Sequence, residues 1–193
     1  PVTKKFYHIK ELEQCFICDI NEDHDGNIWY ADKNNGVYCH FKKTDKWKSW
    51  KYPSIPSNRI CGIYVDKSSD IWLCTNGAGL CRYDAAKDTF ALVFEDQDVP
   101  DVCYQMLQDD AGFYWVSSHS GLFRFRHNID NLRFFTVEDG LQSNQFNYNS
   151  ALKTNDGRLW FGGVNGLNSL DPLNLSENTV RPNVRIASIT TAS

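Results

Sequence analysis

The stretch Asp109-Asp110-Ala111-Gly112-Phe113-Tyr114-Trp115-Val116-Ser117-Ser118-His119-Ser120-Gly121-Leu122-Phe123-Arg124-Phe125 decides the fold. It holds an acidic turn closed by glycine, a tryptophan strand, a second glycine turn and a strand that alternates in character. Asp-x-x-Gly supplies positive φ and side-chain-to-backbone hydrogen bonds, which is hairpin chemistry. Leu122-Phe123-Arg124-Phe125 carries the period-2 signal of a strand. The same arrangement returns along the chain. Trp29, Trp72, Trp115 and Trp160 stand 43, 43 and 45 residues apart. Each follows an apolar or aromatic residue (Ile28, Ile71, Tyr114, Leu159), and each precedes a glycine–aliphatic pair (Gly36-Val37, Gly79-Leu80, Gly121-Leu122, Gly166-Leu167). A period of about 40–45 residues is that of four-stranded propeller blades.

An outer fourth strand is legible in three repeats, from Trp47 to Tyr52, Phe90 to Phe94 and Leu132 to Val137. The fourth repeat has none after Asp171-Pro172, yet Lys5-Phe6-Tyr7-His8-Ile9 matches Arg133-Phe134-Phe135-Thr136-Val137 in type and order. That segment can complete the fourth repeat, or it can belong to a blade beyond these four. The pattern begins mid-repeat at Pro1, which favours an arc of a larger propeller. The predicted fold is all-β, four four-stranded propeller repeats over 1–175, followed by a linker over 176–193 into a β-sandwich. Open blade edges invite pairing, so a homodimer is expected.

Composition sets limits on function. Charged residues make up 23% and the net charge is −4, which is not the clustered basic footprint of a nucleic-acid binder. The run Lys42, Lys43, Lys46, Lys48 and Lys51 reads as a solvated outer strand. No apolar run approaches the roughly 20 residues of a membrane span, so membrane attachment is expected only through segments outside this chain. Of seven cysteines only Cys15 and Cys18 form a C-x-x-C, with no second pair at zinc spacing. Cys18, Cys61 and Cys103 take nearly equivalent places in successive repeats, which suggests small buried side chains. The five histidines show no metal spacing, and Asp23-x-Asp25-Gly26 lacks the remaining ligands of a calcium loop. Neither metal nor cofactor is expected, and no Ser, His and Asp are ordered as a catalytic set.

The pattern Asp-x-x-Gly-x-Ile/Leu-Trp followed by Asn/Ser-Gly-Leu resembles the two-component regulator propeller repeat. The stretch from Glu138 through Asp139-Gly140-Leu141-Gln142-Ser143-Asn144-Gln145-Phe146-Asn147-Tyr148-Asn149-Ser150-Ala151 resembles the linker into the last propeller blade in sensor regions of Bacteroides-type hybrid two-component histidine kinases. Asp156-Gly157-Arg158-Leu159-Trp160-Phe161-Gly162-Gly163-Val164-Asn165-Gly166-Leu167 matches that blade, and Arg181-Pro182-Asn183-Val184-Arg185-Ile186 looks like the start of the sandwich that follows. Asp70, where a turn glycine is usual, departs from the pattern.

The resemblance implies the periplasmic part of an inner-membrane sensor kinase that reports glycan availability to a transcriptional output. None of the kinase machinery lies in these 193 residues, so this chain is expected to be non-enzymatic. Two other readings stand beside it: a structural or protein-interaction propeller, and a propeller lyase or glycosidase, which would need two carboxylates at the ring mouth. Sugar sites combine aromatic faces with planar polar groups on an apolar wall. Candidate ligand residues are therefore Asn144, Gln145, Asn147 and Tyr148, with His119, Trp47 and Arg59 as rim candidates. The blades alone are expected to bind an oligosaccharide weakly, and the complete extracytoplasmic region more tightly.

Overall fold

The computed structural model describes residues 6–95, 98–128 and 130–175. Four antiparallel sheets follow one another along the chain. Blade 1 is β1 (Ile17–Glu22), β2 (Ile28–Asp32), β3 (Gly36–Phe41) and β4 (Lys46–Trp50). Blade 2 is β5 (Ile60–Val65), β6 (Ile71–Thr75), β7 (Leu80–Asp84) and β8 (Thr89–Leu92). Blade 3 is β9 (Cys103–Gln108), β10 (Tyr114–Ser118), β11 (Gly121–Phe125) and β12 (Arg133–Phe135). Blade 4 is β13 (Phe146–Lys153), β14 (Leu159–Gly163) and β15 (Gly166–Leu170). Within each sheet the strands pair in chain order. The inner strands pack in succession, β1 on β5, β5 on β9 and β9 on β13, as the blades of a β-propeller do.

The 43-residue period has a hydrogen-bond cause. Asp23, Asp66 and Asp109 each accept the indole N–H of the tryptophan six residues on, at 2.9 Å in all three blades. The other carboxylate oxygen accepts a backbone N–H four residues on, from Asn27, Asp70 and Phe113. One carboxylate thus closes the turn and fixes the ring. In blade 4, Thr154 replaces the aspartate and its hydroxyl stands 3.4 Å from the Trp160 indole nitrogen. In the three aspartate turns one carboxylate oxygen is spent on the indole and the other on the turn's own backbone.

Two of the repeat tryptophans pack between blades. Trp29 meets Tyr83 and Phe90 of blade 2, and Trp72 meets Tyr114 and Phe125 of blade 3. Trp29, Trp72 and Trp115 are buried. The lysine run lies on the outer strand and adjoining loops of blade 1, where Lys43 pairs with Asp25 and Lys48 with Asp88. All seven cysteines are free thiols. Burial pushes Cys39, Cys61 and Cys81 up to about 12, so the reactive thiolate is suppressed.

Blade 4 has three strands among the described residues, not four. Phe6–Ile9 adopt no strand, and Phe6 and Tyr7 are exposed. The end of the segment read as a linker, from Phe146 to Ala151, is strand, because β13 begins at Phe146. The expected linker over 176–193 lies outside the described residues.

Candidate functional site

The ends of the propeller differ. The turns after β1, β5, β9 and β13, which carry the aspartates, lie on one face. The starts of those strands, with the turns between β2 and β3, β6 and β7, β10 and β11, and β14 and β15, lie on the other, here the mouth face.

Each inner strand is bulged near its mouth end. Cys18 is the extra residue in β1, Cys61 in β5 and Tyr104 in β9, each opposite a regular partner strand. In β13 the bulge is larger: Phe146 faces Gly163, and the next pair is Ala151 with Phe161. The four residues Asn147–Ser150 therefore stand against Gly162 alone. A bulge re-aims side chains and ends regular pairing, and this one turns a polar run toward the axis.

A hydrogen-bonded chain crosses the axis and draws on all four blades. Asn149 Nδ2 donates to the Cys18 carbonyl at 2.7 Å, and Asn149 Oδ1 accepts from Gln105 Nε2 at 3.0 Å. Gln105 Nε2 also reaches Asp19 Oδ2 at 3.2 Å, and the Ile63 N–H donates to the same oxygen at 2.9 Å. Burial raises the Asp19 carboxyl, opposed by the donors Ile63, Gln105 and Ile20. Gly62 makes the crossing feasible, because a Cβ there would stand 2.8 Å from the Tyr104 carbonyl and 3.1 Å from the Gln105 amide. Asp19, Gly62 and Gln105 each precede their tryptophan by ten residues. That repeat position was readable, but what it builds required the register.

Above this chain lies an aromatic mouth. Tyr148, 44% exposed, packs edge-on against Tyr104 with centroids 4.8 Å apart. The Lys33 ammonium sits 5.5 Å from the Tyr148 ring and 5.4 Å from the exposed Phe16 ring. Gln145 is exposed beside them. Two accessible rings, a cation and the exposed amide residues Gln145 and Asn147 can present apolar faces and hydrogen bonds to one ligand. Lys33, Phe16 and Tyr104 carried no sequence signal, because nothing in the repeat places them near Tyr148.

The predicted site residues separate accordingly. Tyr148, Gln145 and the exposed Asn147 share the bulge and mouth. Asn144 is occupied: its Oδ1 accepts the Val137 N–H at 2.8 Å and ties the preceding strap. Arg59 is exposed at the mouth end of blade 2, its carbonyl bonded by the Asn76 N–H. His119 lies on the same face in a separate cleft of about 760 Å³ lined also by Asp101, Pro100, Phe134 and Thr136, with Nδ1 3.9 Å from Asp101. Trp47 is on outer strand β4, stacked on His40 at 4.7 Å and on Tyr30 at 5.5 Å, apart from the mouth.

The turn face holds a cluster of titratable side chains that carried no sequence signal. Tyr114 donates to Asp66 Oδ2 at 2.6 Å, and with that proton committed its oxygen accepts from His127 Nδ1 at 3.1 Å. His127 Nε2 is 3.6 Å from Asp70, and the Arg82 guanidinium is 4.0 Å from the same carboxylate. The ligand atoms of Asp66, Asp70 and His127 lie within 4.8 Å of one another. Asp66, however, already accepts from Ser68 N, Asp70 N, the Trp72 indole and Tyr114. A cation there would displace donors from a buried carboxylate, so the arrangement suits an interblade clamp better than a metal centre.

Fold and site thus define a β-propeller of four repeats with an aromatic, amide-lined axial mouth. No protein-family model matches the chain. Over 81 residues it is 36% identical to histidine kinase P4 of Formosa agariphila, a match that covers 42% of this chain and 6% of that protein. The extracellular domain of the hybrid two-component system BT3049 of B. thetaiotaomicron superposes with a TM-score of 0.76 at 21% identity, over 89% of this chain and 24% of that one. Virginiamycin B lyase from Staphylococcus aureus superposes with a TM-score of 0.60 at 16% identity, over 76% of this chain and 48% of that one. The two structural likenesses establish the fold. The chain spans a small part of the kinase and about a quarter of the hybrid-system domain. Among the described residues no helix is long and apolar enough to cross a membrane.

Proposed function

We propose that this chain is part of the extracytoplasmic sensor region of a hybrid two-component histidine kinase, and that it recognises an oligosaccharide at the axial mouth. The observation that carries the ligand class is the exposed Tyr148 ring, held on a bulge beside Lys33, Phe16 and Gln145. Sugars dock their C–H faces on such rings and their hydroxyls on amides. The sensor role is supported by the likeness to a histidine kinase and to a hybrid-system extracellular domain. On this reading the chain lies in the periplasm, anchored through segments outside it, with transcription as the output.

A non-catalytic role is supported by the state of the carboxylates. Asp19 at the axis and Asp66 at the turn face are both engaged by several donors, whereas glycoside hydrolysis needs a free pair across the bond to be cleaved. Signalling requires that the ligand bind two receptor states unequally. A propeller whose blades contact mainly their neighbours passes such a difference on as rigid-body motion, and self-association of two chains gives the motion a partner. Calorimetry of oligosaccharide fragments against this chain and against the complete extracytoplasmic region tests the reading. Weak binding by the chain and tighter binding by the region are expected. Absence of binding by both removes the glycan, and product release by the chain replaces the sensor with an enzyme.

A further inference from the structure

Several surface lysines away from the mouth are paired: Lys43 with Asp25, Lys48 with Asp88, Lys67 and Lys153 with Asp110, and Lys87 with Asp84. Lys33 and Arg59 at the mouth are both exposed and have no carboxylate partner among the described residues. The Lys33 ammonium stands instead between two rings, 5.4 Å from Phe16 and 5.5 Å from Tyr148. Arg59 immediately precedes β5 on the neighbouring blade. Both charges lower the thiol of Cys61, the bulge residue of β5, against its burial, so the two cations lie within Coulomb reach of one point. The nearby acids are already engaged. Asp32 is fully buried and accepts from the backbone N–H groups of Phe16, Asn34 and Asn35 and from the Asn35 side chain. Asp19 accepts from Ile63, Gln105 and Ile20, and burial favours its neutral form. Asp101 lies beside His119 in the separate cleft.

We infer that the mouth selects an acidic oligosaccharide, with a sugar face on Tyr148 and Phe16, its carboxylate or sulfate on Lys33, and Arg59 on the approach. This rests on the glycan reading above and adds the charge of the ligand to it. A uronate or a sulfated hexose carries its anion close to an apolar C–H face, which matches an ammonium held between two rings. A neutral glycan would use the rings and leave both cations unpaired. A small inorganic anion would use the cations and leave the rings bare. Hydrogen bonds between charged partners are roughly twice as strong as neutral ones, and a local patch of one sign steers an opposite charge toward it. The chain as a whole carries a net charge of −4, so this patch, not the overall charge, sets the preference.

Paired probes titrated against the full 193-residue chain by ligand-observed NMR, which reads weak binding, test this. One pair is trigalacturonate and its methyl ester; the other is a sulfated galactobiose and galactobiose itself. The acidic member of at least one pair should bind about tenfold more tightly than the neutral one, and the pair that discriminates tells carboxylate from sulfate. Lys33→Gln should abolish that preference and leave the neutral member's affinity unchanged, while Lys33→Arg should retain most of it. Lys43→Gln, on the turn face, should alter neither. Equal binding within both pairs would overturn the charge selection and leave the glycan reading standing. A preference that survives Lys33→Gln combined with Arg59→Gln would move the anion away from the mouth and overturn the inference as well. No binding by any of the four probes would remove the glycan reading and this inference together.

Discussion

At the turn face Asp66 is buried and takes four donors, two from backbone, one from Trp72 and one from Tyr114 of the next blade. At the mouth face Tyr148 is lifted out on a bulge, with its ring accessible and only its edge packed on Tyr104. Both regions are rich in polar and aromatic groups, yet one is saturated and the other is not. If recognition takes place at the mouth as proposed, density of titratable side chains does not mark it. A donor set that is fully consumed holds blades together, and on the proposed reading the accessible rings at the mouth are left for a ligand. The comparison makes each region answerable to a different measurement, stability for the turn face and affinity for the mouth.

The largest effect is expected at a clamped indole. Trp115→Ala should cost about 3–5 kcal/mol in urea unfolding, because the ring is buried and held by Asp109. Ligand affinity at the mouth should change little in the protein that remains folded.

Next comes the carboxylate itself. Asp66→Ala leaves the Trp72 and Tyr114 donors and two backbone N–H groups without their acceptor, at about 1–3 kcal/mol for each buried group that finds no water. Thr154→Ala in blade 4 should cost about 1 kcal/mol or less, since its indole contact is longer and part-buried. Equal losses at the two positions would break the link between saturation and stability.

A smaller effect separates the faces by pH. Burial opposes ionisation of Asp23, but hydrogen bonds from the Trp29 indole, the Asn27 side chain and backbone, and the Asp25 backbone outweigh it and hold the carboxyl below the usual range. Its contribution is therefore present above the unfolded value of about 3.9 and is lost as pH falls through the lower folded value. Asp19 at the axis has the opposite sign, since burial raises it; its contribution declines as pH rises through the unfolded value toward the folded one. Asp23→Asn should flatten the acid limb of a stability-versus-pH curve, and Asp19→Asn should steepen it.

How far these regions were legible in the sequence follows from their chemistry. The blades were legible because the tryptophan, its turn and its glycine recur, and the indole clamp explains why the spacing from aspartate to tryptophan is constant. Tyr148 and Gln145 were identified from their polar and aromatic setting. Lys33, Phe16 and Tyr104 were not, since they meet Tyr148 only through the order of blades around an axis and through bulges that periodicity does not encode. Asn144 was included for its amide, which the strap at Val137 consumes. The Tyr114–Asp66 and His127–Asp70 contacts depend on which residues of adjacent blades face each other, and a pattern within one repeat is silent on that.

Tyr148→Ala should change stability by only about 1 kcal/mol, the scale of one aromatic pair. The most direct test of recognition at the mouth is calorimetry of this variant in the complete extracytoplasmic region, titrated with the oligosaccharide fragment that the unaltered region binds. An affinity loss of about tenfold or more, equivalent to about 1.4 kcal/mol, with the Tm nearly unchanged, is the predicted result. Unaltered affinity would contradict the account and move recognition away from the propeller axis.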